Sequence, residues 1–169
     1  MTIAELLDLF EYNRWAHEKT LGAAGALDSE TYRSASQLRS SLQHMLAEEV
    51  MWLSRWEGHS LAEEPDYSEC TDTAALMVRW KSMWNRQRKF LESLTEDDPG
   101  REVAIRMRNG IEAVQPLGDT MTHVVNHATY LRGQAATLIE QSGGATPEAD
   151  YFTYCVARGS DAPDTTVVP

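Results

Sequence analysis

Four stretches of the chain repeat apolar residues at steps of three and four positions, and this spacing constrains the fold more than any other feature. The stretches cover residues 2–26, 36–57, 71–94 and 119–141. Apolar residues at these steps share one face of an α-helix, so each stretch predicts an amphipathic helix. Helices of this kind bury their apolar faces best against one another. The sequence therefore predicts an all-α fold, a four-helix bundle.

The segments outside these helices are polar or short. Residues 27–36 are rich in serine, and residues 58–70 contain a proline and several acidic residues, so both are predicted to be irregular connections. Residues 150–158 carry several aromatic and apolar side chains and predict one further turn of helix. Residues 159–169 are predicted to be a disordered C-terminal tail. The bundle domain is therefore expected to span residues 1–158.

The period changes between the third and fourth helices. Apolar and polar residues alternate in residues 103–107 and again in residues 111–115, on either side of Asn109-Gly110. An Asn-Gly pair between two alternating runs is typical of a two-residue β-hairpin turn, because both central residues adopt positive φ. A small β-hairpin is therefore predicted in the connection between helices 3 and 4. Since an isolated hairpin is only marginally stable, we expect it to pack on the bundle.

The composition of the chain excludes several classes of partner. Aspartate and glutamate total 26 against 15 lysines and arginines, which gives a net charge of −11. Nucleic acids and anionic membrane surfaces bind basic surfaces, so neither is expected as a partner. No apolar run is long enough to span a membrane, and acidic residues interrupt the first apolar stretch as they would not in a signal peptide. Cys70 and Cys155 are interpreted as unpaired thiols rather than one disulfide. A cytoplasmic protein is expected.

Three histidines form a candidate metal site. His123 and His127 lie four residues apart, so their imidazoles project from one face of the fourth helix. His127 falls between Val124 and Leu131 on the apolar stripe, where a buried imidazole needs a polar partner. A bundle can bring His44 of the second helix beside the fourth. Three neutral imidazoles suit zinc, nickel or iron, whereas structural or surface histidines are the simpler alternative.

Three further residues are weaker candidates. His17 continues the apolar stripe of the first helix, and a core histidine hydrogen-bonded to a carboxylate or a carbonyl is the favoured interpretation; it is also the reserve metal ligand. Glu48 lies one turn beyond His44, and Glu49 follows it. Either carboxylate can orient an imidazole or act as a base, although a solvated helix face is the simpler interpretation for both.

Together these residues resemble the DinB/YfiT-like family of bacterial four-helix-bundle metalloproteins. The matching residues extend over nearly the whole chain: residues 12–16, His44, Glu49, Trp52, residues 123–134, Asp150, Tyr151 and Tyr154. The resemblance implies an antiparallel bundle with long crossover connections, a homodimer, and a metal held by three histidines. It also implies a relation to enzymes that use small thiols, such as bacillithiol-dependent transferases and mycothiol-dependent maleylpyruvate isomerase.

One position departs from the family pattern. Members of the family commonly have a histidine directly before the Arg-Gly-Gln of the fourth helix, and this chain has Leu131 there. By the pattern, His44 and His127 correspond to metal ligands. The third nitrogen would then come from His123, which we favour, or from His17; otherwise the site is degraded and binds metal weakly.

Two functions follow as hypotheses. The first is a metal-dependent enzyme that transfers a small thiol or hydrolyses a small substrate. Its metal would lower the pKa of a bound thiol or water, with Glu48 or Glu49 as proton acceptor. The second is a non-catalytic, stress-related binding protein that has kept the bundle and lost the metal site. A purely structural dimer is the remaining alternative.

Overall fold

Four long helices form the framework of the protein. The computed structural model describes residues 2–59, 65–106, 110 and 112–160. The long helices are α1 (Ile3–Gly25), α3 (Ser36–Trp56), α4 (Thr73–Glu92) and α5 (Leu117–Gln141). Shorter elements are α2 (Ser29–Ser34), a 3₁₀ turn (Asp98–Gly100), β1 (Glu102–Arg106), β2 (Glu112–Pro116) and α6 (Tyr151–Ser160). This is the predicted all-α antiparallel bundle, with the hairpin between the third and fourth long helices.

Local side-chain chemistry sets where two of the long helices begin. At α1 the Thr2 hydroxyl accepts a hydrogen bond from the backbone N–H of Glu5, and the Glu5 carboxylate accepts one from the backbone N–H of Thr2. These reciprocal bonds form a capping box and satisfy N–H groups that the helix leaves unpaired. At α4 the Asp72 carboxylate accepts a hydrogen bond from the backbone N–H of Ala75. Both starts lie within two residues of the predicted positions.

The core lies where the apolar faces of the four long helices meet. Helix α5 packs mainly on α1 and α3, and α4 closes the opposite side against the same two helices. The largest fully buried side chains include Leu6, Leu42, Leu46, Leu53, Trp56, Leu76, Trp80 and Met121. The described residues include no helix with the length and hydropathy of a membrane span. Cys70 and Cys155 are both free thiols.

The hairpin packs on the bundle with one face. Strands β1 and β2 pair antiparallel from Glu102 opposite Pro116 to Arg106 opposite Glu112. Val103 and Ile105 of β1 are buried while their neighbours are exposed, as the alternation predicts. Gly110 has a φ of +81°, in agreement with the Asn-Gly turn, although residues 107–109 and 111 lie outside the described residues. The inward face of β1 contacts α3 and forms one wall of the candidate site.

Two predictions about the segments outside the long helices were wrong. The segment 27–36 contains the short helix α2, capped by Asp28, whose carboxylate accepts from the backbone N–H groups of Glu30 and Thr31. Burial of Tyr32 to 4% exposure holds this helix on the core, which its polar composition did not indicate. Helix α6 continues to residue 160, two residues into the predicted tail. The rest of that tail, 161–169, lies outside the described residues.

Candidate functional site

A cleft of about 710 Å³ opens between α3, α5 and the hairpin. One face of α3 borders the cleft, since its four lining residues are one, three or four positions apart. The first turns of α5 border the other side of the cleft. The lining residues are Glu48, Met51, Trp52, Arg55, Ile105, Ala113, Gln115, Asp119, Thr120 and His123. A mostly apolar cleft with a few converging polar groups, of this volume, is typical of sites for small molecules.

The cleft presents one aromatic surface between two polar groups. The Trp52 ring meets the His123 ring edge-on, with centroids 5.2 Å apart. On its other side the Arg55 guanidinium lies over the Trp52 ring, 4.7 Å from the centroid. Burial lowers the pKa of His123, and repulsion from His127 adds to this, while the Glu48 carboxylate opposes it. His123 is therefore a neutral hydrogen-bonding group at neutral pH, beside an aromatic platform and a fixed cation.

A much smaller cavity adjoins the cleft, because Glu48 and Trp52 line both. It leaves about 10 Å³ for the centre of a water molecule, which is about the room that one water or one ion needs. Its remaining lining residues come from α1, α3 and α5: His17, Met45, Glu49, Val124, His127, Ala128 and Leu131. The residue that replaces the family's common histidine, Leu131, is thus in the wall of this cavity.

A buried polar network surrounds Glu49. Its carboxylate is 3% exposed and accepts hydrogen bonds from Asn13 Nδ2 at 2.6 Å and from Gln87 Nε2 at 3.0 Å. Asn13 Oδ1 accepts from Arg132 Nη1 at 2.6 Å, and Arg132 Nη2 donates to the Tyr12 hydroxyl at 3.1 Å. Burial raises the pKa of Glu49, although both amide hydrogen bonds and the Arg132 charge oppose this. The network connects all four long helices through side chains that satisfy one another.

His17 lies at the edge of this network without joining it. The side chain is fully buried, with its ring 4.5 Å from that of Trp80, and neither ring nitrogen has a hydrogen-bond partner among the described residues. Its Nε2 is 3.9 Å from Glu49 Oε1, too far for a hydrogen bond. Burial lowers the pKa of His17 well below its usual value, as does the Arg132 charge, and the nearby Asn13 carbonyl only partly opposes them. His17 is therefore neutral, and the contact with Glu49 is not an ion pair.

The predicted roles of these buried groups need correction. His17 is a core residue as favoured, but the predicted hydrogen bond to a carboxylate or carbonyl is absent from the described contacts. A solvated helix face was the simpler interpretation for Glu49, and this is wrong because the bundle buries it. Glu48 keeps a side-chain exposure of 16% and lines the wall between the cleft and the small cavity.

The three favoured metal ligands line three different depressions. His44 lines a shallow one beside residues 65–67, with its Nε2 4.0 Å from Glu48 Oε1. His123 lines the cleft and His127 the small cavity, with their rings stacked at 5.6 Å between centroids.

A protein site for zinc or a similar metal brings three or four donor side chains together around one ion. Across residues 2–59, 65–106 and 112–160, no group of three or more His, Cys, Asp or Glu side chains is placed to hold one. As they stand, these side chains therefore do not fit a three-ligand metal centre. The assignment of His44, His123 and His127, with His17 in reserve, stays a prediction.

Several site residues were missed at the sequence level. Arg55, Asp119 and Thr120 line the cleft, and the hairpin supplies one complete wall. Asn13 and Gln87 hold Glu49. A signal existed for Asn13, since it stands at steps of three and four from Phe10 and His17 on the buried face of α1. No local signal identified the hairpin wall, because it depends on how the strands dock on the bundle.

The fold and the site together define a helical-bundle protein with a ligand-sized cleft beside a buried histidine and carboxylate cluster. The sequence profile of the DinB family matches residues 2–162. Protein DinB of Bacillus subtilis (strain 168) is similar, with 24% identity over 161 residues that cover 86% of this chain and 91% of that protein. The chain belongs to the DinB family.

Proposed function

We propose that this DinB-family protein is a non-catalytic, stress-related protein that binds a small organic molecule in the cleft between α3, α5 and the hairpin. One observation carries the proposal: a cleft of about 710 Å³ whose aromatic wall, Trp52, lies between Arg55 and His123. The volume lies within the range of about 300–1,000 Å³ that small-molecule sites have. The metal site that the family pattern implies has decayed in this protein, as Leu131 and the separated histidines support.

The cleft offers both kinds of contact that such a ligand needs. Met51 of α3, Ile105 of β1 and Ala113 of β2 supply apolar surface, so a ligand contacts the bundle and the hairpin at once. Burial of apolar ligand surface contributes about 25 cal/mol per Å² before the costs of association. The polar groups at the ends of the Trp52 face orient the ligand by hydrogen bonds and charge.

Filling the cleft should abolish ligand binding. Ala113 lines the cleft, whereas its neighbour Val114 is 53% exposed and outside the set of lining residues. In a thermal-shift screen of small molecules, compounds that stabilise the protein should also stabilise Val114→Phe and should lose their effect on Ala113→Phe. A ligand at one hundred times its Kd stabilises by about 2.7 kcal/mol, which such a screen detects readily. Compounds that stabilise both variants equally would place binding elsewhere and contradict the proposal.

A metal-dependent enzyme acting on a small thiol or a hydrolysable substrate is the second candidate. The specific observation in its favour is the cavity shared by His17, Glu48 and His127, where both His17 nitrogens lack partners. An unpaired buried polar group costs about 1–3 kcal/mol, so an ion bound there would remove this cost. The metal ion of this enzyme would be zinc, nickel or iron. This candidate requires the side chains to rotate from the positions described.

Metal content decides between the two candidates. Purified protein equilibrated with zinc, nickel or iron and then freed of excess metal should hold little metal by elemental analysis if the site is degraded. One ion per chain would instead support the enzyme. Alanine variants of the candidate ligands (His17, His44, His123 and His127) then identify those that hold it. His59→Ala is the matched control, since His59 is 70% exposed and lies just beyond the C-terminal end of α3. Under both proposed functions, the protein assembles as a homodimer in the cytoplasm.

A further inference from the structure

A basic depression of about 290 Å³ lies next to the cleft, where the end of α3 meets β1. Its lining residues include Arg55, Arg101 and Arg106 with one carboxylate, Glu102, and the imidazole of His59. The whole chain has a net charge of −11, so three arginines in one depression reverse the local sign of the charge. Such a local field attracts anions even to a protein that repels them overall.

Two arginines of this depression, Arg101 and Arg106, keep N–H donors available. Among the described residues, the polar contacts of the Arg101 side chain are long, at 3.4 Å to Asp98 Oδ1 and at 3.4 Å to the Trp56 carbonyl, and the side chain is 42% exposed. Arg106 is exposed at the end of β1, and within the described part of the chain no carboxylate lies within salt-bridge distance of it. A guanidinium carries five N–H donors, so both side chains can bind oxygen atoms of a ligand.

The acidic groups near the depression are largely engaged. Both oxygens of Glu57 accept hydrogen bonds from Arg86 Nε, at 3.2 Å and 2.9 Å. His59 Nδ1 is 3.8 Å from the same carboxylate. Glu102 is the one carboxylate among the described residues that line the depression. The three lining arginines outnumber this carboxylate and the Asp98 carboxylate beside Arg101.

The basic depression and the cleft adjoin at Arg55, which lines both of them. The Arg55 guanidinium also lies over the ring of Trp52, which lines the cleft. A single molecule of moderate length can therefore place an apolar part against Trp52 and reach the arginines with its other end.

We propose that the ligand is an amphipathic organic anion. Its apolar or aromatic body occupies the cleft, and its terminal carboxylate or phosphate is held by Arg101 and Arg106. Planar guanidinium groups bind such oxygens through paired, charge-assisted hydrogen bonds. The inference rests on the proposed function, since it assumes a ligand in the cleft, and it adds the chemical class of that ligand.

Three probes with the same aromatic body test this assignment: naphthyl phosphate, naphthoate and neutral naphthol. We expect both anions to bind about tenfold more tightly than naphthol in low salt, measured by titration calorimetry, because hydrogen bonds between charged groups are stronger than those of a neutral hydroxyl. Arg106→Gln should weaken both anions about fivefold and leave naphthol unchanged. Arg88→Gln is the control, since Arg88 is an exposed residue of α4 paired with Glu92. The anion that binds more tightly shows whether the natural group is a phosphate or a carboxylate.

The outcomes separate this inference from the proposed function. Naphthol that binds as tightly as both anions, or an Arg106→Gln variant that binds them as the unmodified protein does, overturns the inference and leaves ligand binding in the cleft standing. Inorganic phosphate that binds as tightly as naphthyl phosphate also overturns it, because the aromatic body would then add nothing. Failure of all three probes overturns the inference and, if the ligand screen also fails, the proposed function with it.

Discussion

Replacing Glu49 with alanine is expected to lower the free energy of unfolding by about 3–5 kcal/mol, the largest effect of any single substitution considered for this protein. The variant removes the acceptor for the Asn13 and Gln87 amides and leaves both donors buried without partners. It also leaves the Arg132 guanidinium, which is 4% exposed, without a nearby negative charge. The loss of packed side-chain volume adds a cavity to these costs. Urea unfolding followed by circular dichroism measures the difference.

Two further variants show whether the network is the cause. Glu49→Gln keeps one oxygen acceptor but turns an NH₂ group toward a donor, so we expect an intermediate loss of about 1–3 kcal/mol. Glu92→Ala removes a carboxylate of 58% side-chain exposure from an ion pair with Arg88, and should change stability by about 0.5 kcal/mol or less. If Glu49→Ala were no more destabilising than Glu92→Ala, Glu49 would not hold the helices together as described.

The elements that depend on local signals were predicted correctly from the sequence. The four long helices followed from apolar periodicity, and the hairpin followed from Asn109-Gly110 between alternating runs, because both signals lie within a few residues of the structure they specify. Helix α2 was missed although Asp28 offers a local N-cap, because the burial of Tyr32 in the core also holds this polar segment on the bundle. A local pattern does not contain that contact.

The candidate site was predicted less completely than the fold. Spacing showed that His123 and His127 share one face of α5, and their stacked rings agree with it. It did not show that His44 lines a different depression, since that depends on how α3 is rotated and shifted against α5. Glu49 was placed among solvated residues, although Met45 and Trp52 stand at steps of four and three from it. Its burial depends on amide partners contributed by two other helices.

Acid should destabilise this protein more than a variant in which phenylalanine replaces His17. In the unfolded chain His17 binds a proton near its ordinary pKa of 6.5, whereas burial keeps it neutral in the fold. The unfolded state therefore binds more protons below about pH 6.5, so this contribution to stability is complete above that pH and is lost as the pH falls. The loss approaches about 1.4 kcal/mol per pH unit. The contribution of Glu49 to stability depends on pH in the opposite direction, because its raised pKa lowers stability as the pH rises above about 4.5.

Subtracting the two proteins isolates the effect of His17, since Glu49 is present in both. The free energy of unfolding in urea, measured at intervals between pH 5 and pH 7.5, should fall by about 2 kcal/mol more in the unmodified protein than in His17→Phe. His59→Phe should follow the unmodified protein, because His59 is 70% exposed. Should phenylalanine fit poorly against Trp80, His17→Gln provides a second non-titrating side chain. If the free energy of unfolding fell in parallel with pH in the unmodified protein and in these variants, His17 would gain a proton or a bound partner in the folded protein. The description of His17 as a neutral, unpaired imidazole beside the small cavity would then be wrong, and metal binding at that cavity would become the stronger candidate.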